Sequence, residues 1–307
     1  MKKGSNKKDI LIIGAGPAGL TAAIFAARAG KKVLVFEAKT FGGQIVSATT
    51  VVNYPAIKEI SGADYAYDLY DQAKSFGVEI KFEKVIDVDV DGDTKIVKTE
   101  KDTYKTKALI LATGAYSRPL GLEGEDKFIG KGVSYCASCD GNFFKKKDVA
   151  VVGGGDTALT YAIYLAGLCN KVYLIHRRDQ FRGSETYVKK LSKLKNVDFV
   201  YNSNVTKLFG KEQLEKIEIT DNDDNKRQVE VNGLFIALGQ VPENGNFKEL
   251  IEVDDSGYFV AGEDCHTKVP GIFVAGDSRV KELRQLTTAV ADGSVAATEA
   301  CDYLNKE

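Results

Sequence analysis

Two cysteines separated by two residues, with an acid directly behind them, form the most reactive stretch of this chain: Cys136-Ala137-Ser138-Cys139-Asp140. A Cys-x-x-Cys pair can close a small disulfide ring, and its thiols titrate below the usual value of about 8.5, so the thiolate needed for disulfide exchange is available. The competing use of such a pair is half of a zinc site, which requires four ligands at matching spacing. Cys169, Cys265 and Cys301 stand singly and the two histidines, His176 and His266, lie far apart in sequence, so redox chemistry is expected and no metal.

The pair lies between two glycine-rich stretches. Residues 9–13 are a continuous apolar run suited to a buried parallel strand. Gly14-Ala15-Gly16-Pro17-Ala18-Gly19 follows, then an alanine-rich helix from Pro17, then a second strand over 32–37 ending in Glu37. Gly14 permits the turn, Gly16 lets backbone approach a pyrophosphate, and Gly19 lets helix and strand pack closely, with the helix N-terminus facing the phosphates. Glu37 is placed to bind a ribose. Alone G-x-G-x-x-G is weak; strand, helix, strand and acid in register make a dinucleotide fingerprint.

After the cysteines the theme recurs. Residues 148–152 lead into Gly153-Gly154-Gly155-Asp156-Thr157-Ala158, a helix is expected to about Gly167, and a strand over 171–175 runs into His176-Arg177-Arg178-Asp179-Gln180-Phe181-Arg182. His176 stands as far from Gly153 as Glu37 does from Gly14. The ribose acid of the first motif is thus replaced by a histidine and arginines, which favours a 2′-phosphate and hence NADPH. The plainer alternative is a solvated basic face.

Residues 61–76 carry apolar residues at helical spacing, and 78–106 read as a small antiparallel excursion. Gly42-Gly43-Gln44 and Asn53-Tyr54-Pro55 read as loops, and residues 108–114 return to the buried sheet through Ala112-Thr113-Gly114. Short strands are expected over 197–219 and 228–231, a closing strand over 233–239, another over 271–277 ending in Asp277, and a final helix starting at Leu283-Arg284-Gln285-Leu286 and running to about Leu304.

At 307 residues, 44% hydrophobic and a formal net charge of -1, the chain has room for two domains and nothing that asks for nucleic acid. Five cysteines in this length are no secreted disulfide framework, so a cytoplasmic location is expected. The lysine-rich residues 1–8 before an uncharged run over 10–27 imitate a signal peptide or membrane span, but Gly and Pro placed for a tight turn exclude that reading.

Taken together, these motifs resemble the low-molecular-weight thioredoxin reductases of bacteria along the whole chain: the first fingerprint, Gly42-Gly43-Gln44, Cys-x-x-Cys-Asp-Gly at 136–141, the three glycines from 153, the His-Arg-Arg stretch ending in Arg182, Gly276-Asp277 and Arg284-Gln285. The resemblance implies an α/β fold of two Rossmann-like three-layer nucleotide-binding domains, the second inserted into the first. It puts FAD on residues 1–115 and 247–307 and NADPH on 116–246, and implies a homodimer with thioredoxin, or a thioredoxin-like protein, as acceptor.

Position by position, Cys139 would lie against the flavin, Cys136 would attack the partner and Asp140 would move protons. The flavin site implied by the resemblance comprises Gly14, Ala15, Gly16, Pro17, Ala18, Glu37, Gly43, Gln44, Asn53, Val85, Ala112, Thr113, Gly114, Asp277, Arg284, Gln285 and Leu286. The NADPH site comprises Gly153, Gly155, Asp156, Thr157, Ala158, His176, Arg177, Arg178 and Arg182. The helix near Arg284 would favour an anionic reduced flavin. Two crossings between the domains, near 115–118 and 241–245, make a hinge possible. One departure stands out: many members follow the second glycine motif with two acids, where this chain has Ala158-Leu159-Thr160-Tyr161-Ala162. Related flavoenzymes that take electrons from ferredoxin lack the nicotinamide motifs retained here. A dedicated partner of glutaredoxin-like or peroxidase-linked type, or a flavin-binding redox sensor, are the rival readings.

Overall fold

The computed structural model describes residues 8–48 and 50–306. The basic stretch over residues 1–7 lies outside them. The uncharged run that imitates a membrane span is a strand, Ile10–Ile13, followed by a helix, Pro17–Arg28. Among the described residues no helix is long and apolar enough to cross a membrane.

The chain divides into two compact units, one of residues 1–116 and 241–307, the other of residues 117–240. The first is built on a five-stranded parallel sheet in the order Ile272–Val274, Ala108–Leu111, Ile10–Ile13, Val33–Glu37, Glu79–Phe82. Ile10 pairs in register with Val33 on one side and Ala108 on the other. Because side chains alternate along a strand, Ile10, Ile12, Val33, Val35 and Ile110 pack against the helices Pro17–Arg28 and Leu286–Asn305. Leu11, Leu34, Phe36, Leu109 and Leu111 face an antiparallel sheet of Val85–Asp91, Thr94–Thr99 and Thr103–Thr106. Strands apolar on both faces are thereby buried on both faces, each such Leu, Ile or Val contributing roughly 1.5–3 kcal/mol.

The second unit repeats the plan. Its parallel sheet runs Val197–Val200, Lys171–Ile175, Asp148–Val152, Gly233–Ile236, Val133–Ser134. Val149, Val151, Val172 and Leu174 pack on the helix Asp156–Ala166 through Ala158, Leu159, Ala162 and Leu165. Ala150, Val152 and Ile236 meet Val205, Ile217 and Ile219 of an antiparallel sheet made by Ser203–Phe209, Lys216–Asp221 and Lys226–Glu230.

Three expectations change. Glu79–Phe82, read as part of an antiparallel excursion, is the edge strand of the first parallel sheet, pairing Val35 with Ile80. Its apolar residues alternate because an edge strand is only half covered. Gly43 and Gln44, read as loop, open a short 3-10 helix, Gly43–Ser47. The last helix begins at Leu286 rather than Leu283, because Gln285 caps it: the Gln285 amide nitrogen donates to Thr288 Oγ1 at 3.0 Å in a reciprocal capping box.

Candidate functional site

The strand Val133–Ser134 delivers the cysteine pair to a one-turn helix, Ala137–Asp140, with Cys136 at its N-cap. Cys136 and Cys139 are joined in a disulfide with Cα atoms 5.3 Å apart. Three short bonds fix the turn. The Cys139 amide donates to Cys136 Sγ at 3.2 Å, the Cys136 amide donates to Ser134 Oγ at 3.1 Å, and Ser134 Oγ donates to Asp140 Oδ2 at 2.6 Å. Burial pushes the Asp140 carboxyl above the usual carboxylate range, partly offset by Ser134. A carboxyl whose pKa is raised, beside a sulfur pair, suits an acid that protonates a leaving thiolate. Among the described residues no cluster of three or more His, Cys, Asp or Glu is arranged to hold a metal.

The second glycine motif opens from the strand Asp148–Val152 into the helix Asp156–Ala166. Gly153 has φ +151°, and a Cβ there would lie 2.4 Å from Ala237 O and 2.9 Å from Ala158 Cβ, so strand and helix meet with no room to spare. A Cβ on Gly155 would meet nothing within 4 Å: the space before the helix N-terminus is open. Arg177, Arg178 and Arg182 are exposed beyond the strand Lys171–Ile175. The Arg182 amide donates to Gly154 O at 2.7 Å and the Ser184 amide donates to Asp156 Oδ1 at 2.6 Å, tying the basic loop to the glycine turn. Thr157 is exposed on the first helical turn.

His176 sits under the glycine turn rather than out among the arginines. Its ring stacks on Phe181 with centroids 5.3 Å apart, and a Cβ on Gly154 would strike it at 2.1 Å. Burial and then the neighbouring arginines hold its pKa below the ordinary value, so it is neutral at pH 7. Its Nε2 is buried without a partner. An open helix N-terminus, three free guanidinium groups and one unpaired buried imidazole nitrogen fit a phosphorylated dinucleotide.

The first glycine motif lies in the other unit. Gly14, at φ +106°, passes so close to Ala112 that a Cβ would sit 2.2 Å from its carbonyl oxygen, whereas beside Gly16 nothing lies within 4 Å. Pro17 opens the helix and Ala18 is buried within it. Glu37 accepts from the amides of Ala15 at 2.9 Å and Lys39 at 2.8 Å, which holds the acid at the turn. Gly43 approaches Gly16, a Cβ there lying 3.4 Å from Gly16 Cα, and Gln44 Nε2 donates to Ala115 O. Thr113 Oγ1 donates to Asn244 Oδ1 at 2.8 Å, next to Gly114. Asn53 Nδ2 donates to Gln285 Oε1 at 3.2 Å, just before Leu286. Asp277 Oδ1 is buried with no partner, and burial raises its pKa against the pull of Lys281 and Arg284. An unpaired buried carboxylate oxygen fits a ligand hydroxyl.

Two expected residues are occupied otherwise. The Arg284 guanidinium donates to the carbonyls of Lys281 and Arg279 at 3.1 Å each and of Asp277 at 3.3 Å, and lies 3.9 Å over the Tyr258 ring. It clamps the loop that carries Asp277. The Val85 side chain is buried with Leu34 and Phe36, and the residue pairs with Thr99 in the antiparallel sheet.

Four polar residues that sequence reasoning passed over hold this site together. Asn244 is buried and donates to Gly257 O at 2.9 Å and Ser278 O at 2.8 Å. Asp292, also buried, accepts from the Gly276 amide at 2.9 Å, from Arg279 Nε and Lys281 Nζ at 2.8 Å, and from a second Arg279 nitrogen at 2.9 Å. Only the charge of Asp292 inside an alanine-rich helix signalled this in the sequence.

Paired glycine motifs around a redox disulfide define a class, and comparison with known proteins gives it a name. The family model described as pyridine nucleotide-disulphide oxidoreductase matches residues 8–293, and the chain belongs to that family. A thioredoxin reductase of Peptoclostridium acidaminophilum is 43% identical, over 97% of this chain and 98% of its own. A thioredoxin reductase of Listeria monocytogenes is 42% identical, over 97% of this chain and 94% of its own. The crystal structure of thioredoxin reductase from Streptococcus pyogenes superposes with a TM-score of 0.95 at 39% identity, covering 99% of this chain and all of the other.

Proposed function

We propose that this chain is a cytoplasmic, homodimeric, NADPH-dependent thioredoxin-disulfide reductase, with FAD held by the unit of the first glycine motif and NADPH by the unit carrying the second motif and the cysteine pair. The reading rests above all on the Cys136–Cys139 disulfide with Asp140 behind it, in the same unit as a glycine motif tied to a loop that carries three exposed arginines. FAD and NADPH, when bound, supply hydride transfer and thereby two electrons for the disulfide.

The protein's own groups handle the exchange. In the dithiol state the Cys136 thiolate attacks a partner sulfur, breaking the partner S–S bond and forming a mixed disulfide. The Cys139 thiolate then attacks Cys136 Sγ, re-forming the Cys136–Cys139 bond and releasing the second partner thiolate. Two electrons pass to the partner and two protons follow, one held ready by Asp140. Such exchange can be shallow: thioredoxin sits at about -270 mV, and each 30 mV of difference is only ~1.4 kcal/mol for two electrons. Gly153, Gly155, Asp156, Thr157 and Ala158 would line the NADPH pyrophosphate, with Arg177, Arg178 and Arg182 at the 2′-phosphate and His176 beneath the glycine turn. Gly14 to Ala18, Glu37, Gly43, Gln44, Thr113, Asp277 and Gln285 would line FAD. Only two chain crossings join the units, which permits a rotation of one against the other between half-reactions.

The test is NADPH oxidation by purified, FAD-loaded protein with thioredoxin as acceptor. Turnover should require thioredoxin and both cysteines; thioredoxin-independent oxidation of equal rate, or full activity in Cys136→Ser, overturns the assignment. Light scattering of the holoprotein tests the dimer.

A further inference from the structure

Tyr161 lies on the helix Asp156–Ala166, in the stretch where the family pattern carries acids, and its side chain reaches the redox loop. Its hydroxyl donates to Tyr135 O at 3.0 Å. The Ala137 amide lies against the same phenol oxygen. These two peptide groups flank Cys136, so the hydroxyl sits between them and donates to the first. An ionised carboxylate has no proton to donate to a carbonyl, so the acids of the family pattern could not make this bond. The loop is anchored a second time through Tyr135, whose hydroxyl donates to Glu125 Oε1 at 2.6 Å while the Glu125 carboxylate accepts from the amides of Leu120, Gly121 and Leu122 at 2.8–3.2 Å.

We infer that Tyr161 is a positioning residue for the disulfide: its hydroxyl holds Cys136 in the extended backbone conformation that presents Sγ to Cys139, from the helix that begins at the second glycine motif. The inference deepens the reductase reading and rests on it for its role in turnover. Cys136 has φ -140° and ψ 99°, and Ala137 is fully buried, so without the hydroxyl the loop loses a hydrogen bond that water does not readily replace. Preorganisation favours ring closure, because the dithiol state gains freedom that the disulfide does not.

The equilibrium to measure is that of the holoprotein with glutathione, in the absence of NADPH. Two glutathione thiols are oxidised to glutathione disulfide while the Cys136–Cys139 bond is reduced to two thiols, and two protons move from glutathione to the cysteines. Alkylation trapping and mass spectrometry read the ratio. Tyr161→Phe, folded by its circular dichroism and melting temperature, should shift the equilibrium towards the dithiol by roughly tenfold, or ~30 mV for this two-electron couple. A shift under threefold, or one towards the disulfide, overturns the inference. A second measurement needs no variant: in oxidised wild-type protein the Ala137 amide should exchange with solvent deuterium at least tenfold more slowly than the amide of the exposed residue Ser138, and equal rates overturn the contact with Tyr161. Because neither measurement uses NADPH or thioredoxin, failure of the reductase assignment and failure of the Tyr161 contact are separately visible.

Discussion

Arg177 and Arg178 extend from the end of a buried strand with their guanidinium groups in solvent, where a phosphate would find them uncommitted. Replacing both with Ala should raise the Michaelis constant for NADPH at least tenfold and leave that for NADH within a factor of about two, since charge-assisted bonds contribute ~1.5–3 kcal/mol each. Steady-state kinetics with the two nucleotides checks this, and equal losses would refute the 2′-phosphate assignment. Asp140 makes a second prediction. Burial raises its folded pKa above the unfolded one, so its protonated form favours the fold at low pH, and that contribution is lost as pH rises through the raised value. Asp140→Asn stays neutral throughout. Its melting temperature should match the wild type below about pH 3.9, where carboxylates normally titrate, and exceed it by a growing margin as pH rises through the raised value. The cysteines, the acid and the arginines were legible in sequence because type and spacing alone mark them. Ser134 and Tyr161 were not, since their meaning comes from contacts that only the folded loop creates.

At the scale of elements, the final helix is locked to the Gly276–Ser278 turn by Asp292, which joins the Gly276 amide to two buried cations. Burial alone would raise the Asp292 pKa, but Arg279 and Lys281 hold it below the ordinary carboxylate range. Asp292→Asn should cost ~3–5 kcal/mol at neutral pH by removing the buried charge that Arg279 and Lys281 share, with only the exposed Glu263 left to Arg279. The sign with pH follows: the wild-type advantage is full above the unfolded pKa near about 3.9 and shrinks as pH falls through the lowered folded value. Denaturant titrations across that window check it. Helices and parallel strands were readable from apolar runs and glycine punctuation, because a buried strand tolerates nothing else. The edge strand Glu79–Phe82 misled because, half exposed, it alternates like an antiparallel one. The start of the last helix was misplaced for another reason: Leu283 and Arg284 carry no helix-breaking residue, and only the Gln285–Thr288 cap sets the boundary.

For the whole molecule, residues 117–240 bring their own sheet and two apolar clusters, one on each face. Expressed alone, that segment should unfold cooperatively and bind NADPH but not FAD; calorimetry and ligand titration check both halves of the expectation. The nested arrangement was legible because the same glycine theme appears twice with one strand pattern closing each. The outer sheet is another matter: the strand Ile272–Val274 pairs with Ala108–Leu111, and the helix Leu286–Asn305 covers the opening helix Pro17–Arg28. During synthesis the inner unit can therefore complete itself while the outer one still waits for the last segment to leave the ribosome. The first glycine motif, made earliest, is finished latest, and a nascent chain halted before residue 272 should show a protease-resistant interior segment flanked by a digestible N-terminal one.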